Sequence, residues 1–246
     1  MYLPSNARTL PDAPTPEAHP LKESRTTLTA QDRFAESLRA FGPIGIVTIL
    51  LIIFSPATMI GAILVMVWVL LSRTPWCEIG FVRPKNWIGS LAIGIPFGVA
   101  FKLLMKAAVM PLFGANPVNQ AYHFIAGNPA ALLGMVALVT ISGGFGEETV
   151  YRGFLFERLG KLLGSGVVAK TSTVLLTAAL FSAAHYLGQR LTGVEQAAIT
   201  GLVFGSIFAI TRRIWMLMVA HAAFDLAAIA LIYWNLEARV AHLIFK

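Results

Sequence analysis

The sequence predicts an all-α, multi-pass bundle of transmembrane helices, and three observations carry that prediction. Of 246 residues, 57% are apolar and only 13% charged, where ordinary soluble domains carry roughly 25% charged residues. The apolar residues gather into seven segments of about the length that crosses a bilayer. The basic residues fall almost entirely between alternate segments, on one side. An aromatic content of 11% argues against global disorder. The single cysteine, Cys77, can form neither an internal disulfide nor a cysteine-cluster metal site.

Residues 1–40 hold Pro4, Pro11, Pro14, Pro16 and Pro20 among Ser, Thr and charges, with no apolar run. This composition predicts a mobile tail, without the short apolar core of a secretory signal. Towards its end, Phe34, Leu38 and Phe41 recur at i, i+4 and i+7. That spacing predicts an interfacial helix over 28–41, although a solvated linker fits the same pattern. The membrane unit covers residues 41–236, with apolar segments at 43–55, 57–72, 87–113, 128–145, 171–187, 196–211 and 214–234. Seven spans are expected, six to eight allowing for short segments and for Ser55-Pro56 as either a hairpin or a kink. Residues 237–246 form a C-terminal tail.

Charge sets the orientation. With a cytoplasmic N-terminus, fourteen of the nineteen Lys and Arg lie in inner segments, among them Arg39, Arg73, Arg83, Lys161 and Arg212. Three lie in outer segments, Arg190, Arg239 and Lys246, and the stretch from Phe113 to Pro129 has none. Cytoplasmic loops are enriched in Lys and Arg, so this orientation is favoured. The net charge of +7 is then a topology signal and requires no nucleic-acid partner. Lys102 and Lys106, one turn apart in the third segment, are expected to snorkel to the outer interface and are left out of the site.

Ionisable groups within a membrane are costly and tend to mark function. The first such place is Gly143-Gly144-Phe145-Gly146-Glu147-Glu148-Thr149-Val150-Tyr151-Arg152. On a helix, Glu147 and Glu148 point about 100° apart, and Glu148 precedes Arg152 by four, the favourable order for an ion pair. Glu147 is then free to act as a general base on water. The competing reading is a helix-end charge cluster balanced by Arg158 and Lys161. The second place is Phe181-Ser182-Ala183-Ala184-His185, with Phe181 and His185 on one face. The third is His221-Ala222-Ala223-Phe224-Asp225, a His and an Asp one turn apart. Either histidine can also serve packing alone. Together these residues come from three spans of an otherwise apolar bundle, and such a set can hold a water and polarise an amide carbonyl.

In their order, Glu147-Glu148-x-x-x-Arg152, Phe181-x-x-x-His185 and His221-x-x-x-Asp225 resemble the motifs of the CPBP (also called Abi) family. These are the CAAX prenyl endopeptidases and bacteriocin-processing intramembrane proteases. The resemblance covers about residues 43–235. It implies that Glu147 and His185 activate the attacking water and that His221 and the residue four later stabilise the oxyanion, with Glu148, Arg152 and Phe181 in support. The family often has Asn where this chain has Asp225; an ionised Asp would repel an oxyanion, so Asp225 is expected either to be protonated in its apolar setting or, the preferred reading, to orient His221 as a donor. One difficulty follows from the span boundaries. Glu147 falls at the inner end of its segment, whereas His185 lies fourteen residues into its own, about 21 Å along a helix. Either the glycine cluster breaks the helix so that the segment re-enters the membrane, or the boundaries lie elsewhere.

The expected function is an intramembrane endopeptidase of glutamic type, in the cell membrane, cutting a peptide or protein substrate near the cytoplasmic side. No cofactor is expected: zinc is the weighed alternative, but His-Glu-x-x-His is absent and a carboxylate can act on water directly. The main alternative from another class is a proton- or ion-coupled transporter using the same Glu, His and Asp. A non-catalytic scaffold is a third. Lipid and a membrane-anchored substrate are the expected partners.

Overall fold

A computed structural model of the chain describes residues 29–245, and every regular element among them is helical. Of the tail expected over residues 1–40, residues 1–28 lie outside the described residues. Helix α1 (Ala30–Arg39) begins with a capping box in which Thr29 and Asp32 each satisfy the other's backbone N–H. Its Leu38 is buried, and the Leu38 carbonyl accepts the Trp68 indole N–H at 3.1 Å. Phe34 on the helix and Phe41 in the turn after it are exposed.

Helix α2 (Pro43–Ile53) starts on a proline, whose fixed φ suits the first helical position. It is separated at residues 54–57 from α3 (Thr58–Ser72). Four longer rods follow: α4 (Trp87–Leu112), α5 (Pro129–Leu163), α6 (Val167–Thr211) and α7 (Trp215–Tyr233). A short α8 (Glu237–Ala241) comes last. Among the described residues these four rods are long and apolar enough to cross a membrane, or five crossings if α1 and α2, bent by 56°, act as one.

That number is smaller than seven for two physical reasons. Helices α2 and α3 have only 11 and 15 residues, and α6 is two helices joined at a kink at Arg190, where φ is 57°. A Cβ added to Gly201 would lie 3.0 Å from the Ala178 Cα, and one on Gly205 would lie 3.4 Å from Val174. The two halves of α6 therefore run antiparallel, side by side, matching the two segments expected at 171–187 and 196–211.

The outward faces are apolar: Leu133, Leu187 and Ile210 are 78%, 85% and 84% exposed, suited to lipid rather than water. Inside, small residues let helices approach closely. A Cβ on Gly98 of α4 would sit 2.1 Å from the Ala220 carbonyl oxygen of α7, and one on Gly144 of α5 would sit 2.8 Å from the Ala222 side chain. These two close approaches clamp α7 between α4 and α5. The middle of α5, Val139–Phe154, is a π-helix, a wider winding often found at functional sites.

Candidate active site

The π-helical stretch of α5 carries both glutamates and Arg152. Glu148 and Arg152 are 0% and 1% exposed, and an Arg152 guanidinium nitrogen lies 3.0 Å from Glu148 Oε1. Charges so deeply buried persist only when paired. The guanidinium also rests on the rings of Phe181 (4.6 Å) and Phe204 (5.6 Å). Phe181 thus links α6 to the buried ion pair.

Helix α7 adds His221, which is also buried. Its Nδ1–H donates to Glu148 Oε1 at 2.6 Å. The other nitrogen, Nε2, lies 3.6 Å from both Glu147 Oε2 and Asp225 Oδ2. The hydrogen bond that orients His221 therefore comes from Glu148. Asp225, expected in that part, faces the opposite nitrogen at a distance beyond direct hydrogen bonding. Its carboxylate occupies space beside Gly143: a Cβ there would meet Oδ2 at 2.7 Å. One glycine of the cluster thus has a definite use.

His185, on the first half of α6, has its Nδ1 2.8 Å from the Phe181 carbonyl oxygen. A carbonyl only accepts, so Nδ1 carries the proton and Nε2 presents a lone pair. The ring packs edge-on to Phe181 at 4.6 Å, and His221 approaches the same Phe181 at 6.1 Å. The structure thus joins Glu147, Glu148, Arg152, His221 and Asp225 directly, and brings His185 to them through Phe181. Among the described residues, no hydrogen bond or ion pair links His185 to Glu147.

The depth difficulty has a simple answer. The glycine cluster does not break the helix. Helix α5 runs on to Leu163, so Glu147 sits in the middle of a 35-residue rod instead of at the end of a span closing at residue 145. The competing helix-end reading of Glu147 and Glu148 falls for the same reason.

Glu147 and Asp225 line a cavity of about 190 Å³ together with Lys102, Tyr122, Ser142, Gly143, Gln189 and Gln196. Burial, reinforced by the Asp225 and Glu147 charges, pushes the Tyr122 phenol above its ordinary value, so it stays a neutral donor. Lys102 corrects a sequence expectation. It does not snorkel: it is 7% exposed, its Nζ donates to Gln196 Oε1 at 2.9 Å, and it lies 4.7 Å from the Phe224 ring centre. Lys106 likewise turns inward, to an ion pair with Glu237 at 3.0 Å. The signal was present in the sequence. Gly94, Gly98 and Lys102 follow at i, i+4 and i+8, so Lys102 shares the small-residue face that meets α7 rather than lipid.

Among the described residues, no group of three His, Cys, Asp or Glu side chains is placed to hold a metal ion. The set has instead an unpaired-nitrogen imidazole, a second imidazole locked by a carboxylate, and a carboxylate facing a small polar cavity. No curated protein and no solved structure matches the chain. Residues 129–227, which contain all three motifs, match the family model described as Rce1-like, type II CAAX prenyl endopeptidase.

Proposed function

From the premise that the motif-bearing core matches the Rce1-like CAAX prenyl endopeptidases, a family that indicates a CAAX-type intramembrane protease, we propose that this chain hydrolyses a peptide bond by carboxylate-activated water. The observation that carries the reading is the sharing of one histidine. His221 gives Nδ1–H to Glu148 at 2.6 Å and turns Nε2 toward Glu147 at 3.6 Å, at the edge of a polar cavity.

In this mechanism Glu147 takes a proton from water, with the His185 Nε2 lone pair as the second acceptor. The resulting hydroxide attacks the carbonyl carbon, and the C=O electron pair moves to oxygen. His221 acts as an imidazolium set among the carboxylates of Glu147, Glu148 and Asp225, so that with Nδ1–H on Glu148 it still has an Nε2–H to donate to that oxyanion. Glu148 holds the ring at Nδ1 much as a triad Asp holds its histidine, and Arg152 pairs with Glu148 at 3.0 Å. Collapse of the tetrahedral species breaks the C–N bond while protonated Glu147 returns the proton to the leaving nitrogen. Every proton has a named carrier, and no metal is required.

The test uses purified protein in proteoliposomes, incubated with a proteome-derived peptide library and read by mass spectrometry. Glu147→Gln is expected to lower cleavage by about 10²-fold or more with an unchanged melting temperature, and a chelator to leave wild-type cleavage intact. Full turnover by the variant would refute the role of Glu147, and ion flux that depends on Glu147 without any cleavage would favour the transporter alternative.

A further inference from the structure

We propose that the catalytic cavity opens on the face of the membrane opposite the cytoplasm, so that its substrates are extended peptide segments of exported or membrane-anchored proteins presented from that side. The substrate statement rests on the hydrolase reading above; the orientation does not.

The bundle has two chemically different ends. One is tied together by Lys161 to Glu78 (2.9 Å), by an Arg212 guanidinium N–H to the Glu78 carbonyl (2.7 Å), and by Ile214 N–H to the Gly80 carbonyl (3.1 Å). Its turns also carry Arg73, Arg83, Lys85 and Arg213. The other end is tied by Lys106 to Glu237 (3.0 Å), by Asn119 N–H to Glu237 (3.1 Å) and by Gly127 N–H to the Tyr233 carbonyl (3.0 Å). Its long loop, 113–128, has no Lys or Arg, and its helical hairpin turns on the single Arg190. The rule that cytoplasmic loops concentrate Lys and Arg therefore assigns the first end to the cytoplasm.

The cavity reaches the other end. Besides Glu147 and Asp225 it is lined by Tyr122 of the basic-free loop and Gln189 of the hairpin. It shares Lys102, Asn119, Gln189 and Gln196 with a vestibule of about 470 Å³ that extends to Asn116 and Gln120. No residue of the basic end lines either space. A cytoplasmic N-terminus and a cleavage site near the cytoplasmic side, both expected from sequence, are thus incompatible in this fold. Of the two, the charge asymmetry is the one read from loop composition independently of how the helices pack, and the cavity position follows from it. The vestibule wall mixes amide side chains with Lys102, Arg190 and the Lys106–Glu237 pair. These are partners for the N–H and C=O groups of an extended peptide and for an acidic group on it.

The native cysteine makes the test direct. Cys77 is exposed and belongs to the basic end. Gln120 is exposed at the vestibule. A membrane-impermeant maleimide is applied to intact cells, to inverted membrane vesicles and to detergent-solubilised protein. The two proteins compared are wild type and Gln120→Cys in a Cys77→Ser background. Position 120 is expected to label in intact cells, and Cys77 only in inverted vesicles and detergent. Labelling of Cys77 from outside the cell, or of position 120 only in inverted vesicles or only in detergent, would overturn the orientation. The expected labelling without any Glu147-dependent cleavage would leave the orientation standing and sink the hydrolase reading instead.

Discussion

Lys102 shows how a single residue changes the electrostatics of the site. Asp225 stands where the resembled family often has a neutral Asn, and taken alone its charge works against an oxyanion. Lys102, buried and facing the same cavity, offsets that charge, and its nearest polar partner is a neutral amide, Gln196. Lys102→Met is therefore expected to lower cleavage about tenfold or more, a cost of roughly 1.4 kcal/mol in the transition state. Adding Asp225→Asn should restore part of the loss by removing the uncompensated charge. Equal loss in the single and double variants would show that Lys102 only fills space. Arg152 provides a stability counterpart. Removing one partner of a buried ion pair costs about 3–5 kcal/mol, so Arg152→Met should lower the melting temperature in detergent markedly. At this scale the sequence was legible for Glu147, Glu148, Arg152 and His221, whose spacings reflect local helix geometry. It was not legible for the partner of His221: a contact between α5 and α7 across 73 positions has no signature within either motif. Lys102 was misplaced because hydropathy cannot tell a lysine that faces lipid from one that faces a neighbouring helix; the Gly94, Gly98 and Lys102 spacing carries that distinction.

Elements position these residues through glycine faces. The closest approach in the site region is at Gly98, where any Cβ would meet the Ala220 carbonyl of α7. A backbone oxygen cannot swing aside, so Gly98→Ala forces α4 and α7 apart, at about 1–3 kcal/mol. Because His221 is the next residue after Ala220, cleavage should fall with stability, measured together by melting and turnover. Normal activity in Gly98→Ala would mean that this contact does not set the geometry. At the start of the described residues, α1 depends on its capping box. Hydrogen bonds from Thr29 hold the Asp32 carboxyl below its ordinary 3.8. A group with a depressed folded value stabilises above its unfolded value and loses that contribution as pH falls through the folded one. Amide exchange in the first turn of α1 should accelerate as pH drops below 3.8, after correction for intrinsic rates, and Asp32→Asn should remove this pH dependence. Helix positions were legible from apolar runs, including the fold-back of α6. The end of α5 was not. Its last turns, residues 146–163, are polar enough to read as a loop, although tertiary packing and the Glu148–Arg152 pair keep them helical.

At the level of the whole molecule, an apolar exterior encloses a polar seam between α4, α5, α6 and α7. Composition alone made the bundle legible, because a chain with this little charge has to hide its backbone in helices and its few ionic groups among themselves. What composition could not give is the direction in which the seam opens, since that depends on which loops close over it. The central claim is that this seam is a hydrolytic site driven by Glu147. The most direct measurement compares protein termini in membranes carrying wild type with those carrying Glu147→Gln at equal abundance. The account predicts a set of new termini present only with wild type; identical termini in the two membranes would contradict it.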